Sequence, residues 1–466
     1  MNSKRFDRPS PLVRLAAGAF VTLALAYAAK HDDPKLSAQK DWADLLVSGQ
    51  AFEDAGRYAD AETFFQSALD HAKNLGDPLA VAQSLNSLAL VKQIRGDYAS
   101  AEPLYDSAIE ICKQHPADRL LAAILLNDAR LRGAEGKFGE AEVLAQKSLQ
   151  MHETLLGAEH SSVADSLDQL AWAEFRLGNY REASGNYARS LGIREKAQPR
   201  KELALAGTLN DYAFLEYSTG DYVNAEKRFE RVLALRRAAL GPGHPDVADT
   251  MVRLSDVKRA QHQFTKAEEL LRAAMGVIEA SLGPNHPRLA NASNNLGVLY
   301  CDEGRIDEAA VLFERALEIY QKALGKDHYQ VGSVLANLAL VQAERRKYPE
   351  AETSYRRAIE ITQKTVGPDH PEVAGMLNNL AQVYAFEKRY ADAEKLFLRA
   401  IDIWERVLGP GYPELAGCLE NYASVLRKLH RGKEAGELEA RAKHVKARRG
   451  TETANTAVDW HELQRQ

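Results

Sequence analysis

One pattern governs what this chain can fold into. An aromatic residue followed after two positions by Ala, most often with Glu next, recurs at Tyr58-Ala61-Glu62, Tyr98-Ala101-Glu102 and Phe138-Ala141-Glu142. It continues at Tyr180-Ala183, Tyr222-Ala225-Glu226 and Phe264-Ala267-Glu268, then Ile306-Ala309, Tyr348-Ala351-Glu352 and Tyr390-Ala393-Glu394. A worn tenth copy keeps Gly432 and Ala435 in frame; the spacings are 40, 40, then 42 seven times. A period of this length marks a repeat array, in which each unit is one supersecondary element packed on its neighbours. The domain count that 466 residues would otherwise suggest therefore does not apply.

Each unit reads as two helices. In the seventh, Leu289, Ala292, Leu296, Leu299 and Tyr300 recur at helical spacing until Gly304. A second run carries Ile306, Ala309, Leu312, Phe313, Ala316, Leu317, Tyr320 and Leu324 before Gly325. Apolar residues at i, i+3, i+4 and i+7 give one buried face per helix, and small Ala at fixed places lets the two helices approach closely. Asp97, Asp221 and Asp307 stand where the second helix begins, the end at which an acid is favourable. Leu-Gly mostly ends it, Gly being the residue that tolerates a left-handed stop.

These residues resemble those of the tetratricopeptide-repeat family, in the 42-residue variety found in kinesin light chains and many bacterial proteins. The likeness is carried by Leu377-Asn378-Asn379-Leu380-Ala381, Tyr390-Ala391-Asp392-Ala393-Glu394, Leu408-Gly409-Pro410 and the connector Val366-Gly367-Pro368-Asp369-His370-Pro371. It covers residues 40–447 and implies an all-α, right-handed solenoid of about ten helix-turn-helix repeats, with the first helices (A) lining a concave groove. Gln114-His115-Pro116-Ala117-Asp118 replaces the full connector, and Val252-Arg253 stands where an Asn pair is expected. No heptad coiled coil precedes the repeats, so only the repeat type matches a motor light chain. Glu434–Arg449, rich in charge, suits a C-terminal cap, and 448–466 reads as a flexible polar tail.

The N-terminus stands apart. Lys4, Arg5, Arg8 and Arg14 precede an uncharged run from Leu15 to Ala29 that contains Ala26-Tyr27-Ala28. Residues 1–30 therefore read as a signal peptide, or as a short inner-membrane anchor through residues 11–29, with the repeats facing the periplasm. The alternative is a buried, Ala-rich first helix in a cytoplasmic protein.

Composition narrows the function. Sixty basic residues against 65 acidic ones give a net charge of −5, without the basic excess of a dedicated nucleic-acid binder. Cys112, Cys301 and Cys418 form no CxxC pair. His160, His244, His286, His328 and His370 recur in connectors, but repeats lie about 8–10 Å apart, beyond the reach of one ion. No metal or cofactor is expected. Neither GxxxxGK[ST] nor GxSxG occurs, and no enzyme is indicated.

The candidate site is the groove. Twelve residues before the helix B aromatic stand Asn86, Asn210, Asn294 and Asn378, with Asp168 in register; one position later come Asn127, Asn295, Asn337, Asn379 and Asn421. In the family this chain resembles, helix A asparagines hydrogen-bond the backbone of an extended peptide. For the second position a structural bond to a neighbouring helix is the competing reading. Trp172 and Phe214, with Phe175 and Tyr217 three residues on, are either groove anchors or core. Arg130, Arg176, Asp256, Arg259, Asp302 and Glu344 mix signs and do not define the partner's charge. The site residues expected to hold a peptide are Asn210, Asn294, Asn378, Trp172 and Phe214. The function expected is a non-enzymatic scaffold binding a partner's extended segment. Its rivals are a self-associating solenoid and a cytoplasmic sensor of a peptide signal.

Overall fold

The computed structural model describes residues 34–115, 117–199 and 201–449. Among these are twenty helices and no strand, in ten consecutive pairs. The A helices are α1 (Pro34–Asp54), α3 (Pro78–Ile94), α5 (Asp118–Ala134), α7 (Ser161–Leu177), α9 (Glu202–Ser218), α11 (Pro245–Ala260), α13 (Pro287–Asp302), α15 (Tyr329–Glu344), α17 (Pro371–Phe386) and α19 (Pro413–Lys428). The B helices are α2 (Tyr58–Leu75), α4 (Tyr98–Gln114), α6 (Phe138–Leu156), α8 (Tyr180–Lys196), α10 (Tyr222–Leu240), α12 (Phe264–Leu282), α14 (Ile306–Leu324), α16 (Tyr348–Val366), α18 (Tyr390–Leu408) and α20 (Gly432–Arg449). Contacts divide them into two compact units, one ending at Leu215 and one beginning at Glu216. The expected array over 40–447 is thus seen to start at Pro34 and end at Arg449. The expected signal or anchor (1–30, with 11–29) and residues 450–466 of the expected tail lie outside the described residues. No described helix is long and apolar enough to cross a membrane.

Within a pair, alanine sets the separation. Ala309 and Ala316 on α14 are wholly buried, as is Ala292 on α13, and Phe313 fills the space between them. Within each unit successive A helices also touch one another, so the A layer is the closer-packed one. The connector histidines have a structural task. Nδ1 of His160, His244, His286, His328 and His370 accepts the backbone N–H two residues on, at 3.1–3.3 Å, and so caps the next A helix. Asp97 and Asp221 cap B helices in the same way, accepting from Ser100 and Asn224 at 3.3 and 3.2 Å. Asp307 instead lies inside the first turn of α14. Gly76 makes the expected left-handed stop, with φ 64° and ψ 26°, but later B-helix stops differ, as at Gly325 with φ 89° and ψ 159°. That is not the left-handed helical conformation but a more extended one, open in practice to glycine alone.

The Glu of the repeating motif is explained by the following repeat. Glu268 on α12 accepts from the Tyr300 hydroxyl of α13 at 2.7 Å and from Arg305 at 3.0 Å. Glu352 receives Tyr384 and Arg389, both at 2.7 Å, and Glu394 receives Tyr422 at 2.5 Å and Arg431 at 2.6 Å. Arg305 and Arg389 also lie over the tyrosine rings, 3.6 and 3.9 Å from the centroids. Lys92 and Arg95 serve Glu62, Arg132 serves Glu102, and Lys258 serves Glu226. These charge-assisted clasps fix how one hairpin sits on the next.

The last helix is a cap, as its charge implied. Where α18 buries Phe397 and Trp404, α20 has Glu439 and Lys446. Glu439 pairs with Arg427 at 2.7 Å and Lys446 with Glu420 at 2.8 Å, so charged pairs stand where the preceding B helix presents aromatic rings.

Candidate functional site

Within each unit the A helices carry their candidate residues at the same register, Trp172, Asn210 and Phe214 in the N-terminal unit and Asn294 and Asn378 in the C-terminal one. Asn210, Asn294, Asn378, Trp172 and Phe214 are all half-buried. The amides are not simply free, however. Asn127 donates to Asn86 Oδ1 at 3.0 Å, Asn337 to Asn294 Oδ1 at 2.9 Å and Asn421 to Asn378 Oδ1 at 3.3 Å. Asn127, Asn337 and Asn421 therefore bond the preceding A helix, and Asn86, Asn294 and Asn378 each spend a carbonyl lone pair on that bond. Asn378 also donates to Asn379 Oδ1 at 3.0 Å, and Asn295 to Asp256 Oδ1 at 3.3 Å. Asn210 differs: among the described residues it donates to its neighbour Asp211, at 3.0 Å, and to no other A helix. An amide has two donors and two acceptor sites, so each first-register asparagine keeps capacity for a ligand.

Trp172 and Phe214 are set partly in the core and partly on the A-helix face. Trp172 lies on Gly133 of the preceding A helix: a Cβ there would be 2.3 Å from indole Cζ3. Its edge meets the Phe138 ring at 5.6 Å, and Arg176 stacks on both, 4.3 Å from Phe138 and 5.5 Å from Trp172. Phe214 meets Phe175 edge-on at 5.7 Å. Each aromatic is therefore seated by a partner while keeping part of its surface open.

The charged candidates fall into two sets. In the C-terminal unit Arg259 pairs with Asp302 at 2.8 Å; burial opposes its charge, but Asp256 and Asp302 hold its pKa above the ordinary value. Burial, with Asp256, pushes Tyr217 up to about 12. Burial likewise pushes the Cys301 thiol up to about 12, aided by Asp302 and Glu344, which makes it an unreactive thiol. Glu344 is exposed. In the N-terminal unit Arg130 donates to Asn127 Oδ1 at 2.9 Å. Asp168, in the asparagine register, is fully engaged on one oxygen: Oδ2 accepts from Arg194 at 2.7 Å and Thr208 at 2.8 Å. Arg194 also reaches Asp165 at 2.8 Å. Sequence reasoning overlooked Arg194 and Thr208. The signal was present, since Arg194 stands fourteen residues after its helix B aromatic, where other repeats place Ala72, Cys112, Ile278 and Trp404. Among the described residues no group of His, Cys, Asp and Glu is arranged to hold a metal ion.

The sequence model of the tetratricopeptide repeat matches residues 43–114, 120–196, 204–280, 247–322, 288–364, 330–385 and 372–443. The chain belongs to the tetratricopeptide-repeat family. Among solved structures, BtubC (BKLC) from P. vanneervenii is 24% identical over 52% of this chain and 95% of its own, with a TM-score of 0.42. The apo quorum sensor NprR from B. thuringiensis is 13% identical over 78% of this chain and 99% of its own, TM-score 0.55. A Rap protein complexed with Competence and Sporulation Factor is 16% identical over 80% of this chain and 100% of its own, TM-score 0.55. At these identities the likeness is one of fold. No curated protein matches the chain.

Proposed function

We propose that this protein is a non-enzymatic interaction scaffold whose A-helix face binds an extended segment of a partner protein. The observation that carries the reading is the half-buried register of amides and aromatics, Asn210, Asn294, Asn378, Trp172 and Phe214, which keeps donors, acceptors and ring surface open. Amides suit a peptide main chain, which offers both a donor and an acceptor at every residue. The fold is also the one in which a Rap protein holds Competence and Sporulation Factor. The charged α20 gives a second copy no apolar surface at that end, which speaks against growth by end-to-end stacking.

Asn210 is the sharpest probe, because among the described residues its side chain bonds only its chain neighbour. Asn210→Ala should weaken partner capture by about 1–1.5 kcal/mol per lost hydrogen bond and leave the melting midpoint nearly unchanged. Intact capture with a lowered midpoint refutes the assignment. We further propose that residues 1–30 export the chain or anchor it through residues 11–29, with the repeats in the periplasm. A fusion of residues 1–40 to a reporter active only after export should be active; a soluble cytoplasmic product of full length sinks that reading.

A further inference from the structure

The turns that join the two helices of a repeat change character along the chain. The residue two positions before the first residue of each B helix has a positive φ in every repeat. In repeats 1–5 and 7 it is glycine: Gly56, Gly96, Gly136, Gly178, Gly220 and Gly304. Repeat 6 has His262 there, and the last three repeats have Arg346, Lys388 and His430, with φ of 59°, 62° and 61°. A side chain is disfavoured in this left-handed conformation because its Cβ crowds the following carbonyl, a cost that glycine avoids. Strain of this kind concentrates where a side chain has a task. In three consecutive repeats of the C-terminal unit the strained residue is basic, and all three side chains are exposed.

The surroundings of these tips are basic as well. Lys347 and Lys428 are exposed beside them, and neither these nor Arg346 and Lys388 have an ion pair among the described residues. The acids of the same edge are largely spent: Asp307 on Arg345, Glu387 and Asp392 on Arg389, and Glu434 on Arg431. Glu344 and Glu350 remain, exposed, against the four cations. Next to the tips stands Phe386, 52% exposed at the end of α17, its ring stacked on Tyr348 at 5.8 Å. Other A helices have Ser218, Asp302, Glu344 and Lys428 at that register. Adjacent repeats lie about 8–10 Å apart, so the tips form a row of widely spaced cations with an aromatic ring beside it. Flexible cations at that spacing suit a surface whose charges are many and mobile. Anionic phospholipid headgroups provide one, drawing in each nearby Lys or Arg while an apolar ring enters the interface. A nucleic acid is the poorer match for a chain whose net charge is −5.

We propose that the turn edge of repeats 8–10, with Arg346, Lys388 and His430 at its tips and Phe386 beside them, docks the protein on an anionic phospholipid surface.

The test is flotation of the full chain with vesicles of phosphatidylcholine, alone or mixed two to one with phosphatidylglycerol. The wild type should favour the anionic vesicles, and the preference should vanish in about 1 M salt, where charges are screened within about 3 Å. A triple variant, Arg346→Gly, Lys388→Gly and His430→Gly, restores the residue of the other tips and should bind the anionic vesicles about thirtyfold more weakly. That is the loss expected for two full charges at about 1 kcal/mol each. Its melting midpoint should not fall, since glycine serves at six other tips. Arg346→Gln with Lys388→Gln, which removes the two charges and keeps side chains in place, should lose binding to the same degree. Phe386→Ser, the residue of the fifth repeat, should weaken binding about tenfold. The apolar run Leu15–Ala29 is common to all these proteins, so its own affinity for lipid cancels in the comparison. Equal affinity of wild type and glycine variant for the anionic vesicles overturns the proposal. So does capture of polyglutamate or duplex DNA at these tips without a preference for the anionic vesicles, which would assign the edge to another polyanion.

Discussion

His152 and Asp128 make opposing predictions for the same pH window. His152 is 5% exposed; its Nδ1 lies 2.9 Å from Ser166 Oγ, and burial holds its pKa at about 4. Unfolded, the imidazole titrates near 6.5, so below that pH the unfolded chain binds a proton that the folded one refuses. Stability must fall as pH drops from 6.5 towards 4. Between pH 7.5 and 5 the loss is about 2 kcal/mol, and it saturates at about 3 kcal/mol below pH 4. Asp128 is 3% exposed and occupies the register where other A helices bury Leu88, Leu254 and Leu338. Burial pushes it up to about 6 although Arg132 donates to it at 3.0 Å, because Glu102 and Asp106 share that guanidinium. Here the folded chain takes the proton first, so acidification from pH 7.5 to 5 returns about 1 kcal/mol. The wild type therefore largely conceals both effects. Urea melts followed by circular dichroism should separate them. His152→Ala, matching Ala72 in the first repeat, should fare about 2 kcal/mol better than wild type over that pH drop, and Asp128→Asn about 1 kcal/mol worse. Every other titrating group is common to the three proteins and cancels. Parallel stability curves for all three would refute the reasoning.

Three further outcomes follow from the packing. Tyr384→Phe removes the hydroxyl that donates to Glu352 at 2.7 Å and accepts from Arg356 at 2.6 Å, and should cost about 1–2 kcal/mol in denaturant melts. Tyr300, Arg272 and Arg305 hold Glu268 at about 2 despite some burial, and Glu352 is held there against its burial by Tyr384, Arg356 and Arg389. Both carboxylates lie below their unfolded values, so their contribution is fully present above about pH 4.5 and is lost only as pH falls towards 2; carboxyl NMR titration should show neither protonated at pH 3.5. Gly133→Ala drives a methyl into the Trp172 ring and should cost about 1–3 kcal/mol, with a shift in tryptophan emission that an undisturbed indole would not show.

The array was legible in the sequence because its signal is periodic. Residues that bury an apolar face, such as Ala309, Phe313 and Ala316, recur with the repeat, and the glycine and histidine punctuation recurs with them. Departures from the period are harder to read. Asp128 and Arg132 look like two ordinary charges on a solvated face until the register shows that Asp128 replaces a core leucine and that Arg132 stands where Lys92 and Lys258 hold the Glu of the preceding repeat. The asparagine face was only half legible. That Asn127, Asn337 and Asn421 reach back to the preceding repeat depends on how closely two A helices approach, a distance no single helix encodes. The same holds for Arg194, whose partners Asp165, Asp168 and Thr208 come from helices on either side.

The carboxylate clasps also bear on how such an array changes length by duplication and deletion. The junctions after repeats 6, 8 and 9 are clasped by Glu268, Glu352 and Glu394. At the seventh junction both halves are missing: Ala310 stands in the Glu register, with Gln342 and Lys347 where Tyr and Arg would reply. Excising repeat 8 alone would set Tyr384 and Arg389 against Ala310, stranding a hydroxyl and a guanidinium. Excising repeats 7 and 8 together would bring Glu268 against Tyr384 and Arg389 and restore a complete clasp. Excising repeat 9 alone would likewise leave a complete clasp, Glu352 against Tyr422 and Arg431, so the position of the Ala310 seam decides which repeats can be lost without stranding a partner.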